Sequence, residues 1–362
     1  MKKHKAAVYR EFRGPITVES IPYPTLPSDG VIIQVMATGV CRSDWHGWAG
    51  HDDDIKNHGF PFVPGHEVSG LVVEVGEEVQ RFRVKDRVAV PFILSCGTCH
   101  TCCYRNRPTI CEKQEQPGFT MLGSFAEYLA LPRADRNLSV IPAGVDFSEA
   151  AALGCRFTTA YRAVIQQGKL SIDDVISVHG CGGLGMSCIM IAKARGCRRI
   201  IAIDVSDDAL RKAKDELGAT DTINARDEDV LARVLEITGG RGADVAVDAA
   251  GFKQTCEGAI HSARRGGTVV QVGLPIGDVK PIVPMGMVAG RELQIIGSHG
   301  ADARDMPSIL ELVRTGKLDP KKLIEREVTL EEGAAALMDM DKGSPLGMLL
   351  ITKFAEEPKS LL

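Results

Sequence analysis

Apolar and polar positions change rhythm partway along this chain of 362 residues. In the first 150 residues or so, short runs rich in β-branched residues stand between Gly and Pro: Val31-Ile32-Ile33-Gln34-Val35, Leu71-Val72-Val73-Glu74-Val75 and Arg87-Val88-Ala89-Val90-Pro91. Such runs predict strands. From about Asp174 short apolar runs alternate with helical stretches. Strands are expected at 175–178, 200–203, 221–224, 245–248, 268–272 and 293–297, with helices over 184–194 and 208–217 between the first of them. Strand–helix alternation implies a parallel, doubly wound sheet covered on both faces. After Gly300 one helix (307–315) and fragments too short for a third domain remain, so this segment is expected to return to the N-terminal domain. The fold class is therefore α/β, a doubly wound domain set within a β-rich one.

Composition narrows the setting. Hydrophobic residues make up 44% and charged residues 25%, the balance of a globular protein. With 43 Lys plus Arg against 47 Asp plus Glu, the net charge of −4 gives no bulk attraction to nucleic acid or anionic membrane. No apolar run is long enough to span a bilayer. The basic start, Met1-Lys2-Lys3-His4-Lys5, lacks a following apolar region and cleavage site, so a cytoplasmic location is expected. Eleven cysteines, an odd number, argue against a disulfide scaffold.

Directly after the first strand of the alternating half stands Gly180-Cys181-Gly182-Gly183-Leu184-Gly185, followed by a helix. Gly180 permits a tight turn, Gly182 lets a pyrophosphate approach the backbone, and Gly185 lets helix and strand pack closely. The helix start with Gly183 offers free N–H groups and a positive dipole end to phosphate. Asp204 closes the next strand, nineteen residues after Gly185. A carboxylate there accepts from ribose hydroxyls and repels a 2′-phosphate, which predicts NAD over NADP. Ser206 or Asp207 is better placed than Asp204 to cap the following helix.

Two groups of metal-binding residue types stand out. Cys96, Cys99, Cys102, Cys103 and Cys111 bring five thiols into one loop, one more than a closed tetrahedral zinc site needs. Cys41, His66 and Cys155 are dispersed, and spacing alone does not single them out.

The segments GVCRSDWH, PGHEVSGLVVEVG, CGTCHTCCYRNRPTIC, LGCRFTTAY, GCGGLG and VGLP together resemble the zinc-dependent medium-chain alcohol dehydrogenases over nearly the whole length. The resemblance implies a Rossmann domain (157–297) inserted into a GroES-like catalytic domain (1–156 and 298–362). It implies a catalytic zinc on Cys41, His66 and Cys155, with Glu67 nearby and Asp44 orienting His66. Ser43 matches the hydroxyl that bonds the substrate oxygen, and His46 the far end of a proton relay. Arg42 resembles a pyrophosphate-binding arginine, while Thr159 and Val272 should lie against the nicotinamide. Phe92 and Trp45 are expected as pocket walls. The family leaves seven residues between its third and fourth lobe cysteines, as Cys103 and Cys111 do, which points to Cys103 rather than Cys102. The departure has two readings, an insertion between Cys99 and Cys103 or a bulge after Cys102.

The expected reaction is reversible hydride transfer between a small primary or secondary alcohol and NAD, in a homodimer or homotetramer with no nucleic-acid or membrane partner. The strand at 293–297 is the expected edge for pairing across a two-fold axis. Polyol or amino-alcohol oxidation is the nearest alternative, though Cys155 stands where polyol dehydrogenases generally carry Glu. A zinc- and nucleotide-binding protein without activity is the alternative from another class.

Overall fold

A computed structural model describes residues 2–275, 280–343 and 345–354. In chain order its strands are β1 (Lys3–Val8), β2 (Thr17–Pro22), β3 (Val31–Val40), β4 (Glu67–Val75), β5 (Arg87–Val90), β6 (Tyr128–Leu131) and β7 (Ser139–Val140). There follow β8 (Val175–His179), β9 (Arg199–Asp204), β10 (Asp221–Asn224), β11 (Ala243–Asp248), β12 (Ala263–Gln271), β13 (Gln294–Gly297), β14 (Ile324–Thr329) and β15 (Met348–Lys353). Among the described residues two compact units result, one of residues 2–158 with those from 301 to 354 and one of those from 159 to 300.

The first unit is built on a mainly antiparallel sheet ordered β14-β15-β3-β4-β5-β7, with β6 also paired to β3. Ten-residue β3 is its axis, because VIIQVMATGV buries nearly every side chain. Val31, Ile33 and Val35 pack with Val68, Val72, Val88, Leu129 and Leu131 into one core. The returning segment fills the sheet: β15 pairs antiparallel with β3, Leu349 opposite Val40. Strand β4 begins at Glu67, four residues before its expected start, because Glu67 pairs with Gly39 and buried Ser69 donates to the Phe147 carbonyl. Those polar residues hide the strand from a hydropathy reading.

The second unit is a six-stranded parallel sheet ordered β10-β9-β8-β11-β12-β13. Chain order reverses direction between β8 and β11, the switch point where such sheets bind ligands. Helix Gly183–Arg195 follows β8 with eight buried residues. The stretch expected as one helix over 208–217 is an α-helix over Asp207–Lys212 that passes into a π turn, Ala213–Leu217. Strand β12 begins at Ala263 rather than at Thr268, with a register shift against β11.

Candidate metal centres and nucleotide loop

Cys41 follows β3 and caps the short helix Arg42–Trp48, His66 precedes β4, and Cys155 lies on a π turn, Leu153–Phe157. A π turn carries one residue more than an α turn and is common at functional sites. These three residues, far apart in sequence, bring their ligand atoms within 4.8 Å of one another.

Asp44 organises the cluster. Its carboxylate accepts from His66 Nδ1 at 2.7 Å and from the backbone N–H of Cys41 and Gly65, both at 3.0 Å. Gly65 sits at φ +107°, where a Cβ would lie 2.5 Å from the Phe125 ring, so only glycine lets the chain turn there. With Nδ1–H donated to Asp44, Nε2 keeps its lone pair. That atom is buried and makes no hydrogen bond. An orphaned imidazole nitrogen beside two thiols is the donor set of a catalytic zinc. Hydrogen bonding from Cys155 holds the Cys41 thiol down to about 5, and the same contact with burial raises Cys155. Phe92 and Phe119 flank the imidazole, their ring centroids 6.0 and 5.0 Å away.

Glu67 is wholly buried and paired with Arg156. Burial works against its charge, yet the guanidinium holds its carboxyl below the usual range. Arg156 was not anticipated from sequence; the one available signal was an arginine directly after a ligand cysteine. Ser43 is half-buried beside Cys41. His46 lies 3.1 Å from His51, Nδ1 to Nδ1. Burial, Arg42 and His51 push His46 down to about 4. Arg42 is exposed, donates to the Met340 carbonyl and stacks over Trp45 at 3.8 Å. Trp45 itself belongs to the core with Tyr9, Trp48 and Leu337 rather than to a free wall.

In the loop, Cys96, Cys99, Cys102 and Cys111 gather their sulfurs within 4.8 Å of one another. Cys96 and Cys111 are 3.4 Å apart and Cys99 and Cys111 3.8 Å, too far for disulfides. A tetrahedron with Zn–S bonds of ~2.3 Å has edges of ~3.8 Å, so the four thiols fit that ion. Burial opposes ionisation of Cys96, but donors from Thr98 and the Cys99 backbone hold its thiol down to about 5.

Here the preference for Cys103 is corrected. Cys103 is exposed, and its thiol donates to the Gly97 carbonyl at 3.0 Å. Both cysteines lie on the single helical turn His100–Cys103, where successive side chains diverge by about 100°. Cys102 turns inward and Cys103 outward. The extra residue before Cys111 is absorbed after Cys102, where Asn106 adopts a left-handed φ of +50°.

In the second unit, Gly180 to Gly185 join β8 to helix Gly183–Arg195. A Cβ on Gly185 would lie 1.8 Å from the Gly180 carbonyl oxygen, whereas one on Gly182 meets nothing within 4 Å. The loop is thus closed where helix meets strand and open where a phosphate approaches. Asp204 accepts from the backbone N–H of Cys181 at 2.6 Å, Val205 at 2.8 Å and Ser206 at 2.9 Å. Ser206, not Asp204, caps the following helix. Val272 is buried, its N–H bonded to the Asp248 carbonyl, and the buried Thr159 hydroxyl has no partner.

These two centres and this loop define a zinc-binding dehydrogenase. Residues 27–143 match the alcohol dehydrogenase GroES-like domain and residues 183–315 the zinc-binding dehydrogenase domain. An alcohol dehydrogenase of Geobacillus stearothermophilus is 34% identical, over 96% of this chain and 98% of its own. A sorbitol dehydrogenase of Bacillus subtilis is 35% identical over 92% of both. The solved alcohol dehydrogenase TADH of Thermus sp. ATN1 superposes with a TM-score of 0.89 at 29% identity, over 97% of this chain and all of that one. The chain belongs to the zinc-dependent medium-chain alcohol dehydrogenase family, oxidoreductases acting on CH–OH groups. Among the described residues no helix is long and apolar enough to cross a membrane.

Proposed function

We propose that the chain oxidises small primary or secondary alcohols with NAD, and reduces the matching aldehydes or ketones, at the Cys41–His66–Cys155 centre. The observation that carries this reading is the unpartnered, buried Nε2 of His66 among two thiols. When bound there, zinc supplies a Lewis acid for the substrate oxygen, and the dinucleotide supplies the hydride acceptor.

Cys41, His66 and Cys155 hold the metal and leave one coordination position for substrate. Asp44 fixes the imidazole tautomer. The Ser43 hydroxyl takes the alcohol proton as it gives up its own toward solvent, and His46 stands at the outer end of that relay, with His51 the next ring in hydrogen-bond reach. Phe92 excludes water from one side of the imidazole. Gly180, Gly182, Gly183 and Gly185 receive the pyrophosphate, and Asp204 binds the adenosine ribose. Thr159 and Val272 contact the nicotinamide. Cys96, Cys99, Cys102 and Cys111 hold a second, closed zinc that secures the loop.

We further assign the chain to the cytoplasm, which its eleven free cysteines favour. It forms a dimer or tetramer through β13. That strand is a sheet edge with Ile295 38% exposed, and the neighbouring helix Met285–Arg291 has no buried residue. A spectrophotometric panel of alcohols, polyols, aldehydes and ketones with NAD(H) and NADP(H) tests the activity. Turnover of simple alcohols with NAD is expected, and none across the panel would refute it.

A further inference from the structure

One buried charge pair has no part in the chemistry just described. Arg156 Nε donates to both oxygens of Glu67, at 3.0 and 3.2 Å, and Nη2 donates to Oε2 at 2.6 Å. The Arg156 backbone N–H reaches Oε1 at 3.1 Å, and Nη2 also donates to the Val40 carbonyl at 2.9 Å. Glu67 is 0% exposed and Arg156 12%. Val40 precedes Cys41, Glu67 follows His66 and Arg156 follows Cys155. A single guanidinium, carried by the chain neighbour of Cys155, is therefore fastened to a chain neighbour of each of the other two ligands.

The carboxylate it holds is crowded on both sides. A Cβ on Gly39 would lie 2.4 Å from Glu67 Oε2, and one on Gly154 2.7 Å from the Glu67 Cα. The two glycines form a slot with no room for other side chains. Among the described residues no other lysine or arginine pairs with Glu67. Without Arg156, a buried carboxylate would face a dication at the three ligands. Binding it as a fourth protein ligand would turn an open catalytic site into a closed one.

We propose that Arg156 is a positioning residue that holds the three ligand segments in register and keeps the Glu67 carboxylate out of the metal's open position. This rests on the reading that Cys41, His66 and Cys155 bind zinc. Lysine would keep the charge but lose the planar fork that spans Glu67 and Val40.

The test loads Co2+ into this centre of the full-length protein and titrates imidazole, which enters an open coordination position and shifts the visible absorption. Wild type should respond. In Arg156→Met the freed carboxylate competes, and imidazole affinity should fall ~10–100-fold, the range for loss of a group supporting metal ligands. Arg156→Lys should lie between, and it carries the test if the Met variant does not fold. Arg156→Met/Glu67→Gln should recover the wild-type response, which a purely structural role for Arg156 does not predict. Two results overturn the proposal: folded single variants that titrate like wild type, or a double variant with no recovery. A wild type that takes up no Co2+ at this centre would instead overturn the metal assignment beneath it.

Discussion

The Asp44 carboxylate and His66 Nδ1 meet at 2.7 Å with both side chains shut away from solvent. The same carboxylate also bonds the backbone of Cys41 and Gly65, so it fixes the ring and the turns that carry two ligands. Asp44→Asn keeps the shape but replaces one acceptor oxygen with a donor. Zinc affinity at this centre should fall by ~10–100-fold while the four-thiol loop keeps its ion. Metal analysis after mild chelation should then give one zinc per chain instead of two. Two retained ions would refute the prediction.

Cys102 and Cys103 should behave oppositely. Cys102→Ser removes a buried sulfur from the loop cluster and should release its zinc and lower Tm by several degrees. Cys103→Ser alters an exposed thiol and should change stability by no more than ~0.5 kcal/mol. Thermal unfolding with zinc quantification separates them, and a silent Cys102→Ser would return the ligand role to Cys103.

Much of this was legible in the chain. The three central strands of the parallel sheet, β8, β9 and β11, showed themselves as apolar runs, because strands buried on both faces have no polar side to disguise them. The glycine loop and Asp204 were legible because their chemistry is local. Choosing between adjacent cysteines was not, since it depends on which side of one helical turn faces inward. Arg156 was invisible for a related reason. Its meaning lies in contacts with Val40 and Glu67, 116 and 89 residues away, which no local pattern records.

NAD should be preferred to NADP at least tenfold in kcat/KM. A 2′-phosphate beside Asp204 costs more than the ~1.4 kcal/mol that tenfold represents. Arg211, the first cation after Asp204 in the chain, is paired with Asp208 at 3.0 Å. Asp204→Ala should narrow the gap while NAD turnover survives. Equal use of both cofactors by wild type would end this reading.

His46→Gln should keep zinc and NAD affinity but slow alcohol oxidation near neutral pH. Relay steps are worth up to ~10²–10⁴-fold, and a solvent-connected relay falls at the low end. The deficit should shrink as pH rises and hydroxide takes the proton. His51→Gln should give a smaller loss of the same pH dependence. Superimposable kcat/KM profiles for wild type and His46→Gln would show that neither ring carries protons.

His179 gives the second unit an acid sensitivity of its own. Burial alone pushes it down to about 3, with Nε2 3.0 Å from the Ser262 hydroxyl. An unfolded histidine titrates near 6.5, so between that pH and about 3 the unfolded chain binds a proton that the folded chain refuses. The stability this provides is full above pH 6.5 and is lost as pH falls through the window. Denaturant unfolding at pH 6.5 and 5 should show wild type losing ~2 kcal/mol more than His179→Gln. Equal losses would mean that the folded ring takes up the proton.

Strand β15 lies beside β3, with Leu349 against Val40, one residue from Cys41. These partners leave the ribosome roughly three hundred residues apart, which at about 5–20 residues per second is ~15–60 s. A nascent chain therefore displays the loop thiols and Cys41 long before the strand that braces the first metal ligand exists. Parallel pairing in the second unit also forms slowly, because distant segments must meet. Chains cut short before β15 would offer metal-binding cysteines on an unfinished sheet with an open edge.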